Sequence, residues 1–95
     1  MYGIAFEWDP RKDSTNRRKH GVEFAEASTV FDDPLSITIS DPDHEVDEER
    51  FVIIGISAKG SLLAVVHTVR RERIRLISAR SATTRERRNY EETIL

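Results

Sequence analysis

Length, composition and cysteine content already restrict what this chain can be. It has 95 residues, of which 34% are charged and 38% are hydrophobic, and it has no cysteine. We therefore expect a single domain over residues 1–95, without disulfides, zinc fingers or a thiol nucleophile. No apolar run approaches the ~18 residues of a membrane helix, and the opening MYGIAFEWDP lacks the pattern of a secretory signal, so we expect a cytoplasmic protein.

Charge is segregated along the chain, although the formal net charge is only −2. Positions 23–49 contain ten acidic residues and neither lysine nor arginine. Positions 70–88 contain eight arginines and two glutamates, which gives a local charge of 8 − 2 = +6. This asymmetry favours a polyanionic ligand on one side of the domain. The alternative is that the two segments pair with each other or are merely solvated.

The first half of the chain predicts one strand and two helices. GIAFEW, residues 3–8, alternates loosely and indicates a strand. Asp9-Pro10 is a strong helix start and Gly21 a stop, so a polar surface helix is expected from Pro10 to His20. In EFAEASTVF, apolar residues at three- and four-residue spacing indicate a second short helix, which Pro34 ends.

The second half predicts four strands and a final helix. LSITIS (35–40) indicates a half-buried strand, and RFVIIGIS (50–57) and SLLAVVHTV (61–69) indicate a hairpin of central strands. IRLISA (74–79) follows, with Ile74, Leu76 and Ser78 on one face, and Thr83 or Thr84 can cap the last helix. The order β-α-α-β-β-β-β-α predicts an α+β domain, an antiparallel sheet with two N-terminal helices and one C-terminal helix.

Several segments resemble, in order, the BrnT family of toxins: FEWDP, RRKHGV, FDDPL, DPDH, ERF, VVHT and RIRLISARSATTRERRNYEE. The BrnT family consists of RelE-like ribonucleases encoded beside a small BrnA antitoxin. The resemblance covers nearly the whole chain. It implies a RelE-like fold and metal-independent RNA cleavage by a hydrolase that halts translation.

The same resemblance implies the partners. RNA is the expected substrate, and a BrnA-like antitoxin with a ribbon-helix-helix DNA-binding part is the expected inhibitor. Operator DNA would be bound only through the antitoxin complex, and two antitoxins would bridge a toxin homodimer into a heterotetramer. One departure is visible, because the family often has an acidic residue after the HT of its central strand, where this chain has Val69. The acidic residue that the family often has is therefore missing at this position, and Glu72 is the residue that could substitute for it.

Metal-independent RNA cleavage needs an aligned 2′-hydroxyl, cations that stabilise the phosphorane, and groups that move protons. Histidine titrates near neutrality and the guanidinium fork matches phosphate, so the catalytic candidates are His67, Arg80 and Arg70. If the late strands pair antiparallel, His67 lies opposite residues near 76 and Arg80 lies beyond, so the two need not touch. The alternatives are a structural histidine with one hydrogen bond and a plain surface arginine.

Further residues are candidates for binding the substrate. The basic segment contributes Arg73, Arg75 and Arg85, where each phosphate contact would add salt-sensitive affinity. Lys19 and His20 could also contact substrate, although cations at a helix C-terminus have an ordinary explanation in the helix dipole. Tyr90 could stack on a base, as an aromatic residue near the C-terminus does in RelE relatives, or could pack in the core.

The DPDHE loop, residues 41–45, has the side chains of a hard-cation site but not its geometry. Carboxylates alternate at Asp41 and Asp43, yet the glycine of a calcium-binding loop is missing and Pro42 interrupts it. We expect no metal and no cofactor, and a loop that repels RNA or contacts a basic part of the antitoxin. Because no nucleophile–base–orienter set is visible, a non-catalytic nucleic-acid- or partner-binding module is the competing hypothesis.

Overall fold

One sheet organises the molecule, and the computed structural model describes residues 4–41 and 48–93. Within those residues, five strands lie in the spatial order β1-β5-β4-β3-β2. The elements are β1 Phe6–Glu7, α1 Pro10–His20, α2 Phe24–Ser28 with a 3-10 helix Thr29–Asp32, β2 Ile37–Ser40, β3 Phe51–Ile56, β4 Leu62–Arg70, β5 Arg73–Ser81 and α3 Thr84–Thr93. This order confirms the predicted α+β domain with two N-terminal helices and one C-terminal helix.

Capping interactions fix both ends of α1 and the start of α3. The Asp9 carboxylate accepts a hydrogen bond from the backbone N–H of Arg11 at 2.8 Å, and Gly21 closes α1 at a φ of +71°, where residues other than glycine are strained. At α3 the Thr83 hydroxyl accepts from the N–H of Glu86, whose carboxylate accepts from the N–H of Thr83. This reciprocal pair is a capping box, so Thr83 is the cap.

The sheet is not antiparallel throughout. Strands β2 to β5 pair antiparallel with their neighbours, but β1 runs parallel to β5, with Phe6 opposite Ile74. The prediction of a wholly antiparallel sheet is wrong at this edge, because no short hairpin connects β1 to β5 and constrains its direction. Strand β1 is also shorter than the predicted 3–8, and Gly3 lies outside the described residues.

A one-residue irregularity interrupts the pairing of β4 with β5. His67 lies opposite Leu76, whereas Val66 lies opposite Ser78, so Ile77 is an extra residue on β5. A bulge of this kind reverses the inward and outward alternation beyond it. Ser78 therefore does not share the face of Leu76, as strict alternation predicted, and Ala79 occupies that face instead.

The core lies on both sides of the sheet. On the helix-covered face, defined by Leu63 and Val65 of β4, the sheet packs against Phe24, Ala27 and Val30 of the α2 region, which are fully buried. On the other face, defined by Ala64 and Val66 and called the open face below, α3 covers only one end. There Tyr90 packs against Val52, Ile54 and Leu62.

Strand β2 is less buried than its alternation indicated. Ile37 packs against the cluster under α3, but Ile39 is 50% exposed and Leu35 lies before the strand at 48% exposed. The predicted half-buried strand over 35–40 is therefore shorter and more exposed. The reason is that β2 is an edge strand and α3 does not reach its outer end.

Candidate active site on the open face of the sheet

Side-chain alternation gathers the late arginines on the open face. Arg80 lies opposite Ala64, Arg75 opposite Thr68, and Arg73 opposite Arg70. Ala64 belongs to the cluster beneath α3, and residues two apart on a strand share its face. Arg70, Arg73, Arg75 and Arg80 therefore project from one side of the sheet, as the charge pattern of positions 70–88 suggested.

Arg50 joins this group, although it was not among the predicted site residues. Its carbonyl accepts the N–H of Asp41 at 2.9 Å, which continues the pairing of β2 with β3. The ring of the next residue, Phe51, lies 5.9 Å from that of His67, on the helix-covered face, so alternation directs Arg50 to the open face. The sequence does contain a signal for this placement, because Arg50 lies two residues before apolar Val52 and residues two apart on a strand share a face.

Carboxylates hold three of these guanidinium groups. The ion pairs are Arg80–Glu86 at 2.7 Å, Arg75–Glu7 at 3.0 Å and Arg50–Glu48 at 3.6 Å. The three arginine side chains are 36%, 30% and 26% exposed, so each remains open to solvent on one side. Half-exposed pairs contribute little to stability, and a phosphate can exchange for the carboxylate without burying a charge.

Arg80 is the most firmly positioned member. Its Nη1 and Nη2 donate to the two oxygens of Glu86, at 2.7 and 3.1 Å. This bidentate contact, with a further contribution from Asp41, raises the pKa of Arg80, while the hydrogen bonds from Arg80 lower the pKa of Glu86. The guanidinium is therefore permanently charged and its plane is fixed, which suits it to an oxyanion of defined position.

Arg70 and Arg73 flank the turn that joins β4 to β5. The turn residues Arg71 and Glu72 both have positive φ, +51° and +65°, as a two-residue hairpin turn of the primed type requires. This turn places Arg70 directly opposite Arg73, and both are exposed. Neither guanidinium forms an ion pair with a residue of the ranges 4–41 and 48–93, and two such groups side by side at the end of a hairpin attract an anion strongly.

His67 does not join the arginines. It is 5% exposed on the helix-covered face, with its ring edge-on to Phe31 at 4.8 Å and its Nδ1 3.1 Å from the carbonyl of Val65. Burial lowers its pKa, so the neutral ring is favoured. Strict alternation along β5 would have placed Arg80 on this face too, but the bulge at Ile77 turns Arg80 to the opposite one. The contacts match the alternative of a structural histidine.

Tyr90 is in the core and not at the surface. Its ring is 6% exposed, and its hydroxyl donates to the Asp33 carboxylate at 2.7 Å, which raises the pKa of Tyr90 to about 12. Burial opposes ionisation of Asp33, but hydrogen bonds from Ile56 N–H, Tyr90 and Leu35 N–H prevail and lower its pKa. These contacts fix α3 to the sheet and match the alternative of core packing for Tyr90.

The other predicted contacts lie at the margins of the open face. Lys19 and His20 are exposed in the last turn of α1 and line a groove between α1 and β5. Arg85 is exposed in the first turn of α3, next to Glu86. Position 69 is different, because Val69 lies opposite core-facing Ile74 and is 59% exposed. An acid at this position would sit on the face away from the arginines.

The described part of the chain contains neither a cluster of metal ligands nor a membrane-spanning helix. Within residues 4–41 and 48–93, no three or more candidate metal ligands lie together. The DPDHE loop beyond Asp41 falls outside those ranges, so its predicted role stays a prediction. None of the helices in the same ranges is long and apolar enough to span a membrane.

The fold and this face define a small α+β domain with an arginine-rich sheet surface, and comparison with known proteins identifies its family. The sequence model of the family described as "Ribonuclease toxin, BrnT, of type II toxin-antitoxin system" matches residues 8–86. Among solved structures, the chain is similar to the 1.1 Å crystal structure of the Brucella abortus ribonuclease toxin BrnT. The identity is 26% and the TM-score 0.62, over 86% of this chain and 100% of that chain. No curated protein matches the chain.

The chain therefore belongs to the BrnT family of ribonuclease toxins of type II toxin–antitoxin systems. The resemblance inferred from the sequence is confirmed. Membership in such a system implies an antitoxin as a partner.

Proposed function

We propose that this protein is an endoribonuclease toxin that cleaves RNA without a metal ion and thereby inhibits translation in the cytoplasm. The observation that carries the proposal is the grouping of Arg50, Arg70, Arg73, Arg75 and Arg80 on one open face of the sheet. An RNA strand laid across this face would meet guanidinium groups on β4, on β5 and on the residue that precedes β3. Neutralising the phosphodiester in this way supplies the charge stabilisation that a divalent cation would otherwise provide.

The chemistry assigned to this face is transesterification. The 2′-oxygen attacks the adjacent phosphorus, the bond from phosphorus to the 5′-oxygen breaks, and the 2′-hydroxyl proton is passed on so that the leaving oxygen ends protonated. Arg80 is the proposed catalytic residue, because its guanidinium can hold the non-bridging oxygens as charge builds in the phosphorane. Arg70 lies six residues along β4 from Ala64, the partner of Arg80, which is roughly 20 Å at about 3.3 Å per residue, so it is proposed to hold a phosphate further along the strand. Carboxylates beside the arginines, such as Glu86, are free to accept the proton once a phosphate has displaced them.

Other residues take supporting roles in the proposal. Arg73, Arg75 and Arg85 would bind other phosphates of the same strand. His67 and Tyr90 are assigned to packing and not to catalysis, in keeping with their burial at 5% and 6% exposed.

The decisive experiment measures cleavage of RNA by the purified protein in excess EDTA. Arg80→Ala should lower the rate about 100-fold, the usual loss when one transition-state donor is removed. Arg70→Ala should raise KM more than it lowers kcat, because it removes a phosphate contact remote from the reacting group. Arg88→Ala is the matched control, since this exposed arginine lies on α3 two residues before the buried Tyr90 and should cleave like the wild type. Cleavage abolished by EDTA would refute the metal-free mechanism. RNA that is bound but stays intact would support the binding-module alternative.

The proposed inhibitor is a BrnA-like ribbon-helix-helix antitoxin, which would bridge a toxin homodimer into a heterotetramer and alone contact operator DNA. Because a ligand of the folded state stabilises it by mass action, the melting temperature should rise when the antitoxin is added. An unchanged melting temperature at saturating antitoxin would contradict this part of the proposal.

A further inference from the structure

A groove beside the open face has the features of an additional anion site. It lies between α1 and β5 and has a volume of about 290 Å³. Four cationic or titratable side chains of α1 line it, namely Arg11, Lys12, Lys19 and His20. Its floor is formed by Ile77 and Ser78 of β5.

The groove is rigid because Asn16 ties its two walls together. The Asn16 side-chain amide donates to the carbonyls of Val22 and Ala79, at 2.9 and 2.8 Å, and its oxygen accepts the N–H of Ala79 at 3.0 Å. Asn16 is 5% exposed and supplies β5 with the hydrogen bonds that a further strand would make. The two bonds to Ala79 set the separation of α1 from β5, and the bond to Val22 fixes Asn16 to the segment after α1, so the groove is formed before any ligand arrives.

The cations of the groove are not explained by the helix dipole alone. Lys19 and His20 lie in the last turn, where positive charge is favourable, but Arg11 and Lys12 lie in the first turn, where it is unfavourable. Arg11 is close to Asp9, at 3.6 Å, whereas Lys12, Lys19 and His20 form no ion pair with any residue in the described ranges. From Arg11 to His20 the stripe extends roughly 14 Å along the helix at 1.5 Å per residue. An extended polyanion matches such a stripe better than a single ion does.

The groove continues into the open face. Ser78, part of its floor, lies opposite Val66 on the open face and two residues from Arg80. The bulge at Ile77 makes this continuity possible, because it places Ser78 and Arg80 on the same side of β5. An RNA strand that follows the arginines of the sheet can therefore pass from Arg80 over Ser78 to the cations of α1.

We propose that the groove between α1 and β5 binds the single-stranded RNA that flanks the cleavage site, with Lys12 and Lys19 as its main phosphate contacts. The proposal rests on the function proposed above and extends it from one phosphodiester to a longer segment of substrate. RNA is favoured over an acidic segment of a protein partner because the groove is continuous with the arginine-lined face.

The test uses single-stranded RNA with 2′-O-methyl groups, which cannot be cleaved by its own 2′-oxygen, so that binding is measured apart from cleavage. The double variant Lys12→Gln/Lys19→Gln should bind it about tenfold more weakly at low salt. The slope of log affinity against log salt should fall by roughly 1.4, about 0.7 for each phosphate that is no longer neutralised. Arg18→Gln is the control, since Arg18 is exposed on α1 and does not line the groove. All variants should have the urea midpoint of the wild type.

The outcomes separate this proposal from the proposed function. Weaker RNA binding by the double variant alone supports the groove, even if unmodified RNA stays intact and the ribonuclease proposal fails. Equal affinity of the double variant and Arg18→Gln would overturn the groove proposal, whatever the activity. A double variant that keeps its RNA affinity but no longer binds the antitoxin would overturn it as well, and would assign the groove to the protein partner.

Discussion

Replacing Asn16 by alanine should cost this small domain a large part of its stability. The substitution removes three hydrogen bonds and leaves the carbonyls of Val22 and Ala79 and the N–H of Ala79 without their partner. An unpaired buried polar group costs about 1–3 kcal/mol, and the adjoining groove admits water, so we take the lower value. The expected loss is roughly 3 kcal/mol, out of the 5–15 kcal/mol that holds a typical domain folded.

Urea denaturation measures this loss directly. With a typical dependence of about 1–3 kcal/mol per molar urea, the midpoint should fall by roughly 1–3 M. Asn89→Ala, at an exposed position of α3, is the matched control and should stay within about 0.5 kcal/mol of the wild type. Asn16→Asp adds a check on mechanism, because its carboxylate would face two carbonyl oxygens and should regain stability as it is protonated at lower pH. An Asn16→Ala midpoint equal to that of the control would refute the argument.

Three further predictions concern the core. Burial lowers the pKa of His67 from 6.5, so its contribution to the free energy of unfolding is present above about pH 6.5 and is lost as the pH falls through the lowered pKa. The variant His67→Phe should therefore show a weaker dependence of the free energy of unfolding on pH, as measured by urea titrations. Tyr90→Phe removes a hydrogen bond to the Asp33 carboxylate and should cost about 1.5–3 kcal/mol by the same method. Gly55→Ala should cost about 1–3 kcal/mol, because its Cβ would lie 3.0 Å from Cγ1 of Val30.

Each of these has a clear contrary result. A pH dependence that persists unchanged in His67→Phe would mean that another group causes it. Tyr90→Phe with wild-type stability would show that the contact to Asp33 does not anchor α3. A thermal melting temperature of Gly55→Ala equal to that of the wild type would show that Val30, and Ser36 whose Cβ is equally close at 3.0 Å, move aside freely.

Features encoded by neighbouring residues could be predicted from the sequence. The bounds of α1 follow from Asp9-Pro10 and Gly21, which satisfy or terminate backbone groups within one turn, and they are confirmed at Pro10 and His20. The hairpin of β4 and β5 follows from a short polar turn between two apolar runs. Its pairing of His67 with Leu76 is confirmed as well.

Features set by distant contacts could not be predicted. The direction of β1 is set by its pairing with β5, which lies more than 60 residues further along the chain, so the residues around β1 do not predict it. The hydrogen bond from Tyr90 to Asp33 joins residues 57 positions apart, and it matches core packing, one of the two alternatives that the sequence left open for Tyr90. The ion pairs of Arg75 with Glu7 and of Arg80 with Glu86 also require the three-dimensional arrangement.

The extra residue at Ile77 makes the length of β5 as important as its composition. If that residue were deleted, the segment from Ser78 to Ser81 would rotate by half a turn, which would drive the guanidinium of Arg80 toward the packed helices and bring Ala79 out to solvent. Many single substitutions in this strand would leave the positive surface intact, whereas the loss of one codon would exchange the two faces of the segment from Ser78 to Ser81. Under the proposed function, a three-nucleotide deletion here should therefore abolish toxicity although it preserves every arginine.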